Sequence, residues 1–161
     1  MVPSWDDYFM TLAYFVASRS KDARTHMGAV IVGPRKEVRS TGYNSFPRGL
    51  NDSVPERQER GEKQFWFEHA ERNAIYNANV PLDGCVMYTP GIPCMDCARG
   101  IVQKGIKEVV VDLKWETNNP SAERNRRTLE MFAETGVSLR YHNTNYVRLE
   151  GMNDGVSSPL E

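Results

Sequence analysis

The chain has 161 residues, 40% hydrophobic and 25% charged, which suits a single soluble catalytic-size domain over 1–161 with room for a sizeable core. Twenty basic residues against 21 acidic give a formal charge of −1, without the basic excess that a grip on polymeric nucleic acid needs. A local basic pocket for one phosphate stays open. Three cysteines do not make a disulfide framework. No apolar run is long enough to span a membrane, and the N-terminus lacks a secretory pattern, so a cytoplasmic location without a membrane partner is expected.

In chain order, Ser4 is placed to cap a helix from Trp5 to about Arg19, with Asp6 and Asp7 at the positive end of its dipole. Tyr8, Phe9, Leu12, Tyr14, Phe15 and Val16 give that helix a wide apolar stripe. Gly28 to Val32 reads as a strand and Gly33-Pro34-Arg35-Lys36 as a turn. A second strand from Glu37 delivers Gly42-Tyr43-Asn44 at its end. Residues 45–63 are polar and aperiodic, a loop long enough to suggest function.

A helix carrying His69, Glu71 and Ile75 follows, closed by Pro81. Next come a strand over Cys85 to Tyr88 and a short helix over Met95 to Gln103, with Pro93 before it and Gly105 after it. Glu108 to Asp112 is the fourth strand. A loop with Trp115, Asn118, Asn119 and Pro120 leads to a helix over Arg124 to Ala133, with Ser121 as its cap, and Val137 to Tyr141 is the fifth strand. The order predicts a three-layer α/β/α sandwich around a five-stranded mixed sheet, with a core over 4–142 and a loosely held tail over 143–161.

The stretch from Glu68 to Cys97 carries the chemistry. His69, Cys94 and Cys97 supply one imidazole and two thiols, the three protein ligands of a catalytic zinc that keeps a fourth position open. Glu71 lies two residues past the histidine, free to move protons. Cys94 and Cys97 share a helix face at i and i+3, and helix dipoles favour their thiolates. A redox Cys-x-x-Cys would not need His69 or Glu71, and a structural zinc would want a fourth ligand. Cys85, by its strand start after Gly84, fits the core better, so one zinc is expected. His26 and His142 read as structural or solvated.

His69-Ala70-Glu71 followed by Pro93-Cys94-Met95-Asp96-Cys97 resembles the zinc-dependent cytidine deaminase superfamily. Ser18 to Asp22, Val30-Ile31-Val32, Gly42 to Gly49, His69 to Ile75 and Gly105 to Val109 narrow the resemblance to the deoxycytidylate (dCMP) deaminases, over roughly residues 4–142. The resemblance implies a cytidine deaminase-like fold and hydrolysis of dCMP to dUMP and ammonia, feeding thymidylate synthesis. Water activated by zinc attacks C4, and Glu71 moves the protons.

By the same resemblance, Asn44 lies against sugar and base and the Ala70 N–H meets the pyrimidine carbonyl. Tyr88, Ile92 and Trp115 line the base pocket. Arg19, Lys21, Arg24, Arg48 and Arg72 are the phosphate candidates. The resemblance further implies a homohexamer activated by dCTP and inhibited by dTTP, with Mg2+ accompanying the triphosphate. Its effector residues map to Ser20, Lys21, Asp22 and Arg24, and to Tyr43, Arg48 and Gly49.

Pro90 and Gly91 depart from the family's Tyr-Val-Thr run, which suggests a wider wall able to take a 5-substituted cytosine. The alternatives are a deaminase of free nucleosides, guanine or tRNA adenosine, and a non-catalytic zinc or nucleotide-binding module. Near-neutral charge argues against tRNA, and Glu71 argues against a purely structural metal.

Overall fold

The structure is a computed structural model that describes residues 2–147. Its elements are α1 (Trp5–Ala17), β1 (Gly28–Val32), β2 (Val38–Tyr43), a 3-10 turn (Pro55–Gln58), α2 (Lys63–Trp66), α3 (Ala70–Asn77), β3 (Val86–Thr89), α4 (Met95–Gln103), β4 (Glu108–Asp112), α5 (Leu113–Asn118), α6 (Arg126–Thr135) and β5 (Ser138–His142). The strands lie in the order β2-β1-β3-β4-β5. β1 is antiparallel to β2 and β3, whereas β3, β4 and β5 run parallel. This is the predicted five-stranded mixed sheet.

Strand alternation divides the side chains between two cores. On one face Val30, Val32, Tyr88 and Val110 meet Phe9, Met10, Ala13 and Tyr14 of α1. On the other, Ala29, Ile31, Met87, Val109 and Val111 meet Ala70, Ala74 and Ile75 of α3, Ala98 and Ile101 of α4, and Phe132 of α6. β1 is buried along its whole length, as a central strand covered on both faces should be. Each fully buried Phe, Ile or Val on these faces contributes about 1.5–3 kcal/mol relative to exposure.

Several predicted boundaries shift. α1 stops at Ala17, where Ser18 turns its N–H and hydroxyl back to Phe15 O. α3 ends at Asn77, three residues short of Pro81's neighbour Val80. Trp115 sits on a helix, α5, because the Asp112 side chain accepts the Lys114 N–H and caps that turn. α6 begins at Arg126, and Ser121 instead bonds to Glu116.

The tail is held at its start. Thr144 Oγ1 and Tyr146 Oη donate to Asp112, the Asn145 N–H to Asp7 and the Val147 N–H to Thr11. The rest of the predicted loose tail, 148–161, lies outside the described residues. Among the described residues no helix is long and apolar enough to cross a membrane.

Candidate metal centre and substrate cleft

Two strand exits bring the key residues together. Beyond β2, Ser45 and Glu68 exchange both backbone hydrogen bonds (2.8 and 3.1 Å), so Asn44 and His69 are laced to one rim. Asn73 Nδ2, one turn into α3, donates to Tyr43 O at 2.8 Å. A Cβ on Gly42 would overlap the backbone of Ala70 and Ala74, so glycine there lets the start of α3 rest directly on the sheet. His69 is the N-cap of α3 and Glu71 its second residue. Beyond β3, Pro90 to Pro93 carry the chain to Cys94, the N-cap of α4, with Cys97 inside the first turn.

His69 Nδ1 lies 3.4 Å from Cys94 Sγ and 3.5 Å from Cys97 Sγ, and all three ligand atoms fall within 4.8 Å of one another. Tetrahedral zinc, with Zn–N of about 2.0–2.1 Å and Zn–S of about 2.3 Å, has N···S edges of about 3.5 Å. The donor set fits zinc by type and spacing. No fourth His, Cys or carboxylate joins the group among the described residues, as an open catalytic site requires. Cys85 is packed in the core beneath α3 and α4, as expected.

The hydrogen bond from Cys97, helped by His69, pulls the Cys94 thiol down to about 3. The same bond, with burial, pushes Cys97 up. Bonding to Cys94 raises His69. Glu71 is 6% exposed, and burial pushes its carboxyl pKa up, the direction needed to take and return a proton near neutral pH.

His69, Glu71 and Cys94 line a cleft of about 720 Å³. Asn44, Thr25 and Met27 also line it, together with Gly91, Ile92 and Trp115. Arg24, Arg60, Lys63 and Arg124 add four cations. Lys63 is committed to Asp22, whereas the three arginines make no ion pair with the described residues. A chain of net charge −1 thus concentrates positive charge around one concave site.

The profile of the family described as "Cytidine and deoxycytidylate deaminase zinc-binding region" matches residues 3–113. The chain belongs to that family. Among curated deaminases, the deoxycytidylate deaminase of Mus musculus is 34% identical over 162 residues, covering 96% of this chain and 88% of the mouse protein. The probable deoxycytidylate deaminase of Drosophila melanogaster is 36% identical over 149 residues, 86% of this chain and 72% of that protein. The crystal structure of dCMP deaminase from the cyanophage S-TIM5, in complex with dCMP and dUMP, aligns with a TM-score of 0.69 at 21% identity. It covers 88% of this chain and 99% of that one, a likeness of fold.

Within this deaminase-family chain, the predicted site residues separate. Glu71, His69, Cys94, Asn44, Ala70, Ile92, Trp115 and Arg24 meet in the cleft, and the third metal ligand, Cys97, is fully buried. Asn44 is mostly engaged: Oδ1 accepts the Met27 N–H (2.8 Å), and Nδ2 donates to Asp22 Oδ2 (3.1 Å) and Thr25 O (2.9 Å). Only one Oδ1 lone pair remains for a ligand. The Ala70 N–H, at the first position of α3, has no hydrogen-bond partner among the described residues, as helix starts allow.

Tyr88 does not join the cleft. Its neighbours on β3, Met87 and Thr89, point to the α3 side, so Tyr88 faces α1, packs on Phe9 and donates to Asp6 Oδ1 at 2.8 Å. Arg48 is turned away, bonding Asn77 Oδ1 at 2.8 Å, and Arg72 is held by Glu68 and Asp96. Lys21 pairs with Asp52 at the surface. Of the predicted effector residues, Ser20 and Asp22 are interior: Ser20 Oγ donates to Asn44 O, and Asp22 gathers the N–H groups of Arg24 and Thr25, the Asn44 amide and Lys63.

Arg60, Arg124, Ser121 and Asn125 are site residues that sequence reasoning missed. Arg60 is a cation in the long polar loop already marked as functional. Arg124 and Asn125 fall just before a helix whose start the sequence placed too early.

Proposed function

We propose that the chain hydrolyses dCMP to dUMP and ammonia, consuming one water. The observation that carries this reading is the His69, Cys94 and Cys97 donor triad with a buried Glu71 beside it, at a cleft lined by three arginines that make no ion pair among the described residues. Zinc held by the triad supplies the Lewis acidity that makes a water nucleophilic near neutral pH.

The chain's own residues do the rest. Glu71 takes a proton from the attacking water, delivers it to N3, and returns a proton to the departing amine. The free Ala70 N–H donates to the pyrimidine O2. Asn44, fixed by Asp22, Thr25 and Met27, offers its remaining lone pair to a sugar hydroxyl. Arg24, kept from the sequence-derived phosphate candidates, together with Arg60 and Arg124, holds the 5′-phosphate through paired N–H donors.

Ammonia release from dCMP, CMP, deoxycytidine, dCTP and a tRNA anticodon stem tests the reading. dCMP should be preferred, and Arg124→Ala should raise KM for dCMP by about 10-fold or more, as loss of a charge-assisted bond implies, while leaving deoxycytidine unaffected. Equal turnover of dCMP and deoxycytidine contradicts the phosphate assignment.

The reading extends, on family resemblance, to a cytoplasmic homohexamer activated by dCTP with Mg2+ and inhibited by dTTP. The exposed Trp5, Tyr8 and Phe15 on α1 are compatible with self-association. With Ser20 and Asp22 interior and Arg24 given to the substrate phosphate, Lys21 and the 43–49 segment are left as effector contacts. A hyperbolic rate curve indifferent to dCTP and dTTP overturns that extension.

A further inference from the structure

The two halves of the donor set come from two separate helix starts. His69 caps α3, while Cys94 caps α4 and Cys97 lies in its first turn. The helix bodies meet through Ala70, Ala74 and Ile75 on one side and Ala98 and Ile101 on the other. A Cβ on Gly100 would sit 3.3 Å from Ile75 Cδ1, so glycine lets α4 approach closely. That packing sets the helices side by side, but a metal site also needs its donors held to within about 0.5 Å.

Arg72 supplies a polar tie at the helix starts. Its Nε and Nη2 both bond Glu68 Oε1, and its Nη1 lies 3.4 Å from Asp96 Oδ2. Among the described residues this is the one ion pair that joins α3 to α4. Each carboxylate belongs to a metal-ligand segment. Glu68 Oε1 also accepts the His69 N–H at 3.0 Å, and the Glu68 backbone is paired with Ser45. Asp96 stands between Cys94 and Cys97 in the first turn of α4, where it also pairs with Arg99. Both anions sit at positive helix ends, which suits them, and one guanidinium bridges the two. Arg72 stands outside the cleft lining and its side chain is only 21% exposed, so these two carboxylates are what it serves.

The reading of the triad as a zinc site, on which this inference rests, requires the α3 imidazole and the α4 thiols to stay in register. We propose that Arg72 is a positioning residue that clamps the starts of α3 and α4 through Glu68 and Asp96, and so sets how long the chain keeps its zinc. Changes to the groups behind metal ligands typically cost about 10–100-fold in metal affinity. Exposed ion pairs add little to folding, so the clamp should show in metal retention more than in the stability of metal-free protein. The clamp and the bare charge of Arg72 also predict opposite signs. By charge alone a nearby cation repels Zn2+, and its removal would slow zinc loss; loss of the clamp speeds it.

The test follows zinc transfer from loaded wild type, R72M, R72K and D96N to an excess of a chromophoric chelator, with melting curves of the metal-free proteins alongside. R72M should release zinc about tenfold faster or more, while its metal-free form melts as the wild type does. R72K keeps the charge but, as a point donor, cannot bridge two carboxylates, and should release zinc nearly as fast as R72M. D96N cuts one arm at an exposed position and carries the test should the Arg72 variants not fold. It too should release zinc faster than wild type, and its effect should shrink when Arg72 is already methionine. Release from R72M no faster than from wild type, R72K matching wild type, or effects of R72M and D96N that simply add each overturn the proposal while the zinc reading stands. So does faster release with a matching fall in the stability of the metal-free protein. A wild type that holds no zinc overturns both.

Discussion

Glu71 has to accept a proton and give it back within one cycle, and burial equips it for both by raising its carboxyl pKa. Glu71→Gln keeps the shape and the neighbouring ligands but cannot carry the proton. It should retain one zinc per chain and lose about 10²–10⁴-fold in turnover, the usual worth of general acid–base catalysis; metal analysis and ammonia release on the same sample check both halves. Asp22, named from the sequence as an effector residue, has a structural part in the fold. Its side chain is almost wholly buried, where it joins Lys63, two backbone N–H groups and the Asn44 amide. Asp22→Asn should cost about 1.5–3 kcal/mol in chemical denaturation, the range for a hydrogen bond to a charged group, and should weaken binding through Asn44. A stability unchanged by the substitution would show that Asp22 does not anchor this loop.

At the level of elements, the metal centre was legible because its ligand spacing is local: His69 and Glu71 share one helix start, and Cys94 and Cys97 another. The strands were legible for a similar reason, since Gly28 to Val32 and Glu108 to Asp112 are short β-branched runs. α5 was not, because its turn depends on a cap from Asp112, a residue that reads equally well as a strand end. Tyr88 was misplaced for want of register: β3 is four residues long, and one position decides which face a side chain takes. Of the basic lining only Arg24 was named, because Arg60 and Arg124 come from separated loops that only the fold brings beside it.

The 143–147 segment, expected to be loose, instead docks through Asp112. Tyr146→Phe removes one of that carboxylate's hydroxyl donors while Tyr14 and Thr144 remain. Its expected cost is about 1 kcal/mol, a fall of about 2–4 °C in Tm for a chain of this size. An unchanged melting temperature would mean that the hydrogen bond adds nothing to the folded state.

Across the whole molecule, carboxylates tie distant parts of the chain. Arg140 of β5 forks onto Asp6 of α1, and Asp7 accepts from His142 and the Asn145 N–H. Burial alone would raise Asp6, Asp7 and Asp22, but their hydrogen bonds and cationic partners prevail and hold all three below the usual carboxylate value. A depressed folded-state pKa gives stability that is fully present above the unfolded value of about 3.9 and is lost as pH falls through the folded value. Thermal unfolding should therefore be insensitive to these groups at neutral pH and should drop steeply below about pH 4. A melting temperature flat from pH 7 down to 3 would contradict that linkage.

The central claim joins a metal triad, a proton carrier and a nucleotide in one cleft, and its most direct test is conversion of dCMP followed by chromatography. Zinc-loaded protein should yield dUMP and ammonia in equal amounts, stop when the metal is stripped, and resume when zinc is restored. Conversion that survives complete zinc removal, or loaded protein that leaves dCMP untouched, would contradict the account.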